Sequence, residues 1–289
     1  MTMAKKARKF APSGPLARLL RSRPTKAGET YGVPGQGDSV LLSLSVVVGL
    51  IFVWWLVTTV GWVKPLFLPS PQAIVQSFIT IASEGFTGTS LFGHVWISTA
   101  RVFGAFALAC AVGVPLGLAM GMSPVVRGLF DPPIEFYRPI PPLAYLPLMI
   151  IWFGIGETSK VLVIALTVFA PVTLGARAGV KSAAIEQIHA AYSFGATRWQ
   201  VISQVILPSA MPEIITAMRV GIGFGWTSLV AAEMIASTEG IGYLVLSASQ
   251  FLQTATVITG IVIIAGIAYA FDFLMRFVER KVVPWKGRM

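Results

Sequence analysis

Charge is scarce in this chain. Only 12% of its 289 residues are Asp, Glu, Lys or Arg, about half the ~25% that a soluble domain carries. Too few solvated side chains remain to cover a soluble surface, which excludes an ordinary soluble fold. Cysteine is nearly absent. Cys110 stands alone inside an apolar run, so no internal disulfide can form. Histidine is limited to His94 and His189, and nothing has the spacing of a metal site. There is no Ser–His–Asp set, no carboxylate pair and no redox cysteine pair, so the sequence does not predict an enzyme.

Nucleotide-binding loops are also missing. "GIGFGW" at Gly221–Trp226 lacks the third glycine of a dinucleotide fingerprint and follows no soluble strand. "GIGETSK" at Gly154–Lys160 has Lys after Ser159, whereas a phosphate loop needs Gly-Lys followed by Ser or Thr. Any use of ATP would have to come from another polypeptide.

What the chain has in abundance is apolar length. It is 55% hydrophobic with a mean hydropathy of +0.76, and its longest charge-free runs exceed the roughly 20 residues needed to cross a bilayer. The expected fold is an all-α membrane protein of about six spans: Val40–Val63, Trp96–Met122, Ile140–Gly154, Val161–Ala176, Ala210–Ala236 and Val257–Val278. The first run starts too late and is too long for a cleaved signal, so it is read as a retained span. Trp54, Trp55 and Trp62 suit an aromatic belt at its far end.

The net charge of +10 does not point to nucleic acid, because of where the bases fall. Lys5, Lys6, Arg8, Lys9, Arg18, Arg21, Arg23 and Lys26 precede the first span. Arg276, Arg280, Lys281, Lys286 and Arg288 follow the last, and Arg127, Arg138, Arg177, Lys181 and Arg198 lie in loops on the same side. Only Lys64 and Lys160 fall in loops on the other side. Bases gather on the cytoplasmic side of membrane proteins, which predicts cytoplasmic termini. The domain reading is a basic tail (1–38), a transmembrane region (39–282) and a short tail (283–289).

Within the spans, Gly113, Gly117 and Gly121 recur every four residues, the pattern of close helix packing in lipid. Gly221, Gly223 and Gly225 alternate, which suits packing or gating. Glu233 is either a pathway-lining group or half of an internal ion pair. Arg101 is its candidate partner, or snorkels to the interface. Arg219 reads as structural, as does Asp272 beside Arg276 at i,i+4. Pro139, Pro141, Pro142 and Pro147 crowd "YRPIPPLAYLPL", predicting a kinked helix or part of a conduit. Tyr145, Trp152, Trp226 and Glu233 are the candidate pathway residues.

One cytoplasmic stretch is polar and helical. Ile185, Ile188 and Tyr192 form an apolar stripe over Ala184–Phe194, Gly195 suits a helix end, and Thr197 can cap a second helix. Trp199, Ile202 and Val205/Ile206 give that helix a stripe, and Pro208 is expected to stop it. The result is two short amphipathic helices joined at a glycine, a docking shape.

This loop, residues 182–208, resembles the signature of bacterial ABC importer permeases: Glu-Ala-Ala, three residues, Gly, nine residues, Ile-x-Leu-Pro. Ala190, Ala191, Gly195, Leu207 and Pro208 match, Val205 replaces Ile, and His189 replaces Glu. "LFLPSPQAIVQSF", "MGMSPVVRGLFDPPIEFYRPIPPLAYLPLMIIWFGIGETSK" and "GIGYLVLSASQFLQT" are similar to the nitrate/sulfonate/taurine branch, and the "YRPIPPLAYLPL" run to taurine permeases. The resemblance implies the permease fold in a bacterial inner membrane, with a coupling helix seated in an ATPase subunit. Ile185, Ile188, His189, Ala190, Ala191, Tyr192, Phe194, Gly195, Ala196 and Thr197 would make that contact. It further implies a homodimer, two ATPase subunits carrying ATP and Mg, a periplasmic binding protein, and no cofactor on this chain. Taurine or a similar small sulfonate is the implied cargo. Alkanesulfonate, nitrate or bicarbonate transport in the same branch, and an ion-gradient-driven secondary transporter, are the alternatives.

Overall fold

The computed structural model describes residues 40–285. The basic N-terminal tail and residues 286–289 lie outside that range. The chain divides into two units at Pro71. The first holds α1 (Val40–Val60), apolar on every side. Such a helix belongs in lipid or in a large core. Thr58 and Thr59 turn their hydroxyls back onto Trp54 and Trp55 carbonyls. The Trp54 indole donates to the Pro69 carbonyl at 3.1 Å.

The second unit runs from residue 72 and is helical almost throughout. Its helices are α2 (Pro71–Glu84), α3 (Leu91–Met122), α4 (Pro124–Tyr137), α5 (Pro142–Phe153), α6 (Glu157–Val180) and α7 (Ile185–Ser193). They are followed by α8 (Arg198–Ala236), α9 (Ile241–Gln250) and α10 (Thr254–Val282). Among the described residues, α1, α3, α6, α8 and α10 are long and apolar enough to cross a membrane.

Helix α6 sits at the centre, between α3 and α8. Small residues set the spacing on both sides. A Cβ on Gly117 would lie 2.3 Å from the Thr173 carbonyl oxygen, and one on Gly121 2.4 Å from Val180. The expected glycine ladder is therefore the α3–α6 seam. On the other side of α6, a Cβ on Gly175 would meet Ala217 at 2.1 Å. Of the alternating glycines, Gly221 and Gly225 pack on Val168, whereas Gly223 faces open space. Val102, Ala105, Ile164, Val168, Val172, Ile222 and Leu229 close the core, with Phe271 of α10 edge-on to Phe103.

The third expected span differs from the sequence reading. Alone, α5 has 12 residues, about 18 Å at 1.5 Å each, too short to cross. It is preceded by α4, which the sequence reading assigned to a loop. Ser123 caps both sides of the turn into α4: its backbone N–H closes α3, and its hydroxyl accepts from the Val126 N–H. The ring of Pro124 then suits the first helical turn. Both α4 and α5 run along α6. Asp131 pairs with Arg177, Ile134 packs on Ala170, and Tyr137 reaches the Leu166 carbonyl. Tyr145 then bonds Thr167, and Leu146 packs on Val163. The two helices thus form one crossing, interrupted at residues 138–141 beside the middle of α6. Pro139 and Pro141 remove backbone donors at the interruption and disfavour helix in the residues before them. Arg138 belongs to this interruption, not to a cytoplasmic loop as the sequence suggested.

Pro208 also departs from expectation. It does not stop a helix. Residues 198–236 form one continuous rod of 39 residues. The turn just before Pro208 widens into a π segment, Ile202–Ile206, whose closing bond runs from the Leu207 N–H to the Ile202 carbonyl. The wide turn accommodates a proline ring that an α-turn would force against the carbonyl four residues back.

Candidate functional site

The stretch around Gly195 has the helix–glycine–helix form that the sequence predicts, except that the second helix is the start of the rod α8 and not a short one. Helix α7 has nine residues and none is buried. It closes with a complete Schellman turn: the Gly195 N–H donates to Tyr192 and the Ala196 N–H to Ala191. Gly195 has φ +81°, the left-handed region where a side chain is costly. No atom crowds the position, so the backbone angle alone calls for glycine. Thr197 then caps α8 in a reciprocal box with Gln200. The Gln200 N–H donates to the Thr197 hydroxyl, and the Thr197 N–H to Oε1 of Gln200. The sequence reading named Thr197 and missed Gln200, although S/T-x-x-Q is a recognisable signature.

Exposed apolar rings mark this stretch. Phe194 is 92% exposed, and Ile185, Tyr192 and Trp199 are exposed with it. Ile188, Ala191 and Ala196 are half-buried, while His189, Ala190 and Thr197 are open. Loops on soluble surfaces do not normally group large apolar side chains this way.

A cavity of about 450 Å³ opens at the interruption between α4 and α5. Arg138, Pro139, Pro141, Tyr145, Thr167 and Phe224 are among the residues that line it. Hydroxyls form a chain there: Tyr145 to Thr167 at 3.1 Å, and Thr167 to Ser228 at 3.2 Å. Of the four pathway candidates, Tyr145 alone lines this cavity. Trp152 is exposed on the far part of α5. Trp226 is buried in the core between α3, α6 and α8.

Glu233 lies at the end of α8 remote from the docking stretch and is fully buried. Arg101 donates to it at 2.7 Å, Ser98 at 2.7 and 2.9 Å, and the Gly242 N–H at 2.8 Å. This is the ion-pair alternative for Glu233. Arg101 does not snorkel: it is 5% exposed, and its other nitrogens grip Glu157 at 2.6 and 2.7 Å. Lys160 also bonds Glu157, from the first turn of α6 rather than from a loop. Sequence spacing could not find Ser98 or Glu157, because the cluster joins α3, α6, α8 and α9 only in three dimensions. Midway along α8, Arg219 holds Asp272 and Glu279 of α10, and Asp272 holds Arg276.

A profile of the family described as binding-protein-dependent transport system inner membrane component matches residues 113–284. The chain belongs to that family. It is an inner-membrane transport component, as the signature loop implied. Over 251 residues it is 51% identical to the taurine transport system permease protein TauC of Escherichia coli (strain K12), spanning 86% of this chain and 91% of that protein. It is 36% identical to the putative aliphatic sulfonates transport permease protein SsuC of Bacillus subtilis (strain 168), over 82% and 85% of the two chains. Among solved structures, the inward-facing MetNI methionine ABC transporter matches with a TM-score of 0.58 at 19% identity, covering 66% of this chain and 95% of that one. At that identity the likeness is one of fold.

Proposed function

We propose that this chain is the membrane subunit of an ATP-driven importer for taurine or a close small sulfonate. The carrying observation is the 51% identity to a taurine permease across nearly its whole length. The chain works as a homodimer, takes its cargo from a periplasmic binding protein, and seats α7 in each of two ATPase subunits. ATP and Mg belong to those subunits, and this chain has no enzymatic activity or cofactor of its own. Ile185, Ile188, Tyr192 and Phe194 supply the apolar contact, and Gly195 sets its angle. His189 stands where the usual glutamate would, so this contact relies on packing rather than on a salt bridge there. Both termini are cytoplasmic, which the placement of the basic residues supports.

The mechanism follows from the elements. ATP binding draws the ATPase subunits together and moves α7. The Schellman turn and the capping box pass that motion into α8, which changes the accessibility of the cavity. The test is reconstitution of permease, ATPase and binding protein in vesicles with labelled taurine. Uptake requires ATP, and Ala191→Arg or Gly195→Arg abolishes uptake while ATP hydrolysis persists. Uptake driven by a proton gradient after ATP removal would sink this reading. Uptake of alkanesulfonates, nitrate or bicarbonate in preference to taurine would reassign the cargo.

A further inference from the structure

Several arginines of the transmembrane crossings tie helices together. Arg101, Arg177 and Arg219 each tie one helix to another. Arg138 does not. Its partner is Glu135, one turn earlier in the same helix, at 3.0 Å. A pair within one helix joins no two elements and adds little stability. Its position is nevertheless costly. Arg138 follows Tyr137, whose hydroxyl bonds Leu166, nine residues inside α6, or about 14 Å from its end. Both side chains are half-exposed, at 51% and 42%. Ionisable groups at such depth face a water-filled path or a protein interior rather than lipid.

Arg138 lines the 450 Å³ cavity, which is within the ~300–1,000 Å³ of small-molecule sites. The hydroxyls of Tyr145 and Thr167, bonded to each other at 3.1 Å, line the same cavity. Helix α5 begins at Pro142 with no side-chain cap, and Pro141 and Pro142 line the same cavity as Arg138, so the positive end of the helix dipole lies at the cavity. The site therefore offers a fork-shaped cation, a helix start and hydroxyls, with a carboxylate one turn away.

We propose that the Glu135–Arg138 pair reads a zwitterionic sulfonate in passage. The guanidinium takes the sulfonate and the carboxylate takes the ammonium. An ion pair already in place exchanges its internal partner for a ligand carrying both charges, so neither group is left bare. The proposal rests on the sulfonate-importer reading above.

The test uses the complete reconstituted importer and reads taurine moved per ATP hydrolysed, in complexes that co-purify with the ATPase subunit. Glu135→Gln and Arg138→Gln each lower that ratio about tenfold or more, as loss of a charge-assisted hydrogen bond does. Arg138→Lys retains part of it. The exchanged pair, Glu135→Arg with Arg138→Glu, keeps the internal bond but reverses the polarity offered to the ligand, and its ratio stays low. Recovery of the ratio by the exchanged pair would show a structural staple and overturn the proposal. So would a wild-type ratio in Arg138→Gln or Arg138→Lys. Failure of the unaltered importer to move taurine would instead overturn the functional reading.

Discussion

At the scale of single residues, the cluster around Glu233 makes the sharpest demand. Its carboxylate is fully buried and receives Arg101, the Ser98 hydroxyl shared between its two oxygens, and the Gly242 N–H. Glu233→Gln removes the charge and leaves Glu157 as the one carboxylate that holds Arg101. Breaking one side of a buried pair costs about 3–5 kcal/mol, so the thermal midpoint in detergent should fall well below that of the parent. An unchanged midpoint would mean that the cluster is hydrated. Glycines give a matched pair of expectations. Gly117→Ala drives a Cβ to 2.3 Å from a backbone oxygen of α6, an overpacking worth about 1–3 kcal/mol. Gly223→Ala meets no atom within 4 Å and should be neutral, or stabilising by up to about 1 kcal/mol through helix propensity. The same melting measurement separates them.

At the scale of elements, the joint after α7 and the interruption between α4 and α5 are the irregular backbone segments on which the proposed function can be tested. Gly195→Val meets no clash but holds a branched side chain at φ +81°. The cost of about 1–2 kcal/mol should weaken co-elution with the ATPase subunit, whereas Gly195→Asn should retain it. Replacing Pro139, Pro141 and Pro142 together by Ala restores three backbone donors. Amide exchange over residues 138–144 should then slow, and uptake should fall. The sequence made much of this legible. The glycine ladder, the Schellman glycine and the Thr197 cap are local patterns, and local patterns can be read one residue at a time. Helix α4 was hidden because Pro132 and Pro133 sit inside it and its apolar content is modest. The reach of α8 was hidden because a proline normally ends a helix, and the π segment that rescues this one has no sequence signature. Ser98 and Glu157 were hidden because partners from separate helices leave no spacing to count.

At the scale of the whole molecule, orientation is the open quantity that labelling can measure. In a Cys110→Ala background, a single cysteine at Thr87 should react with a membrane-impermeant thiol reagent from outside the cell. One at Gln187 should react only after the membrane is opened. The reverse pattern would invert the topology. The rod from Arg198 to Ala236 adds a mechanical consequence. Its 39 residues span about 58 Å at 1.5 Å each, nearly twice the ~30 Å hydrocarbon thickness. It leaves the docking stretch directly and reaches the Arg101–Glu233 clamp without a break. A rod of that length multiplies angle into distance: each degree of tilt at one end carries the other end about 1 Å. On the reading proposed above, a few degrees of rocking at the α7 end would strain the clamp by more than the length tolerance of a hydrogen bond, so a movement at one end of the rod can unlatch the other.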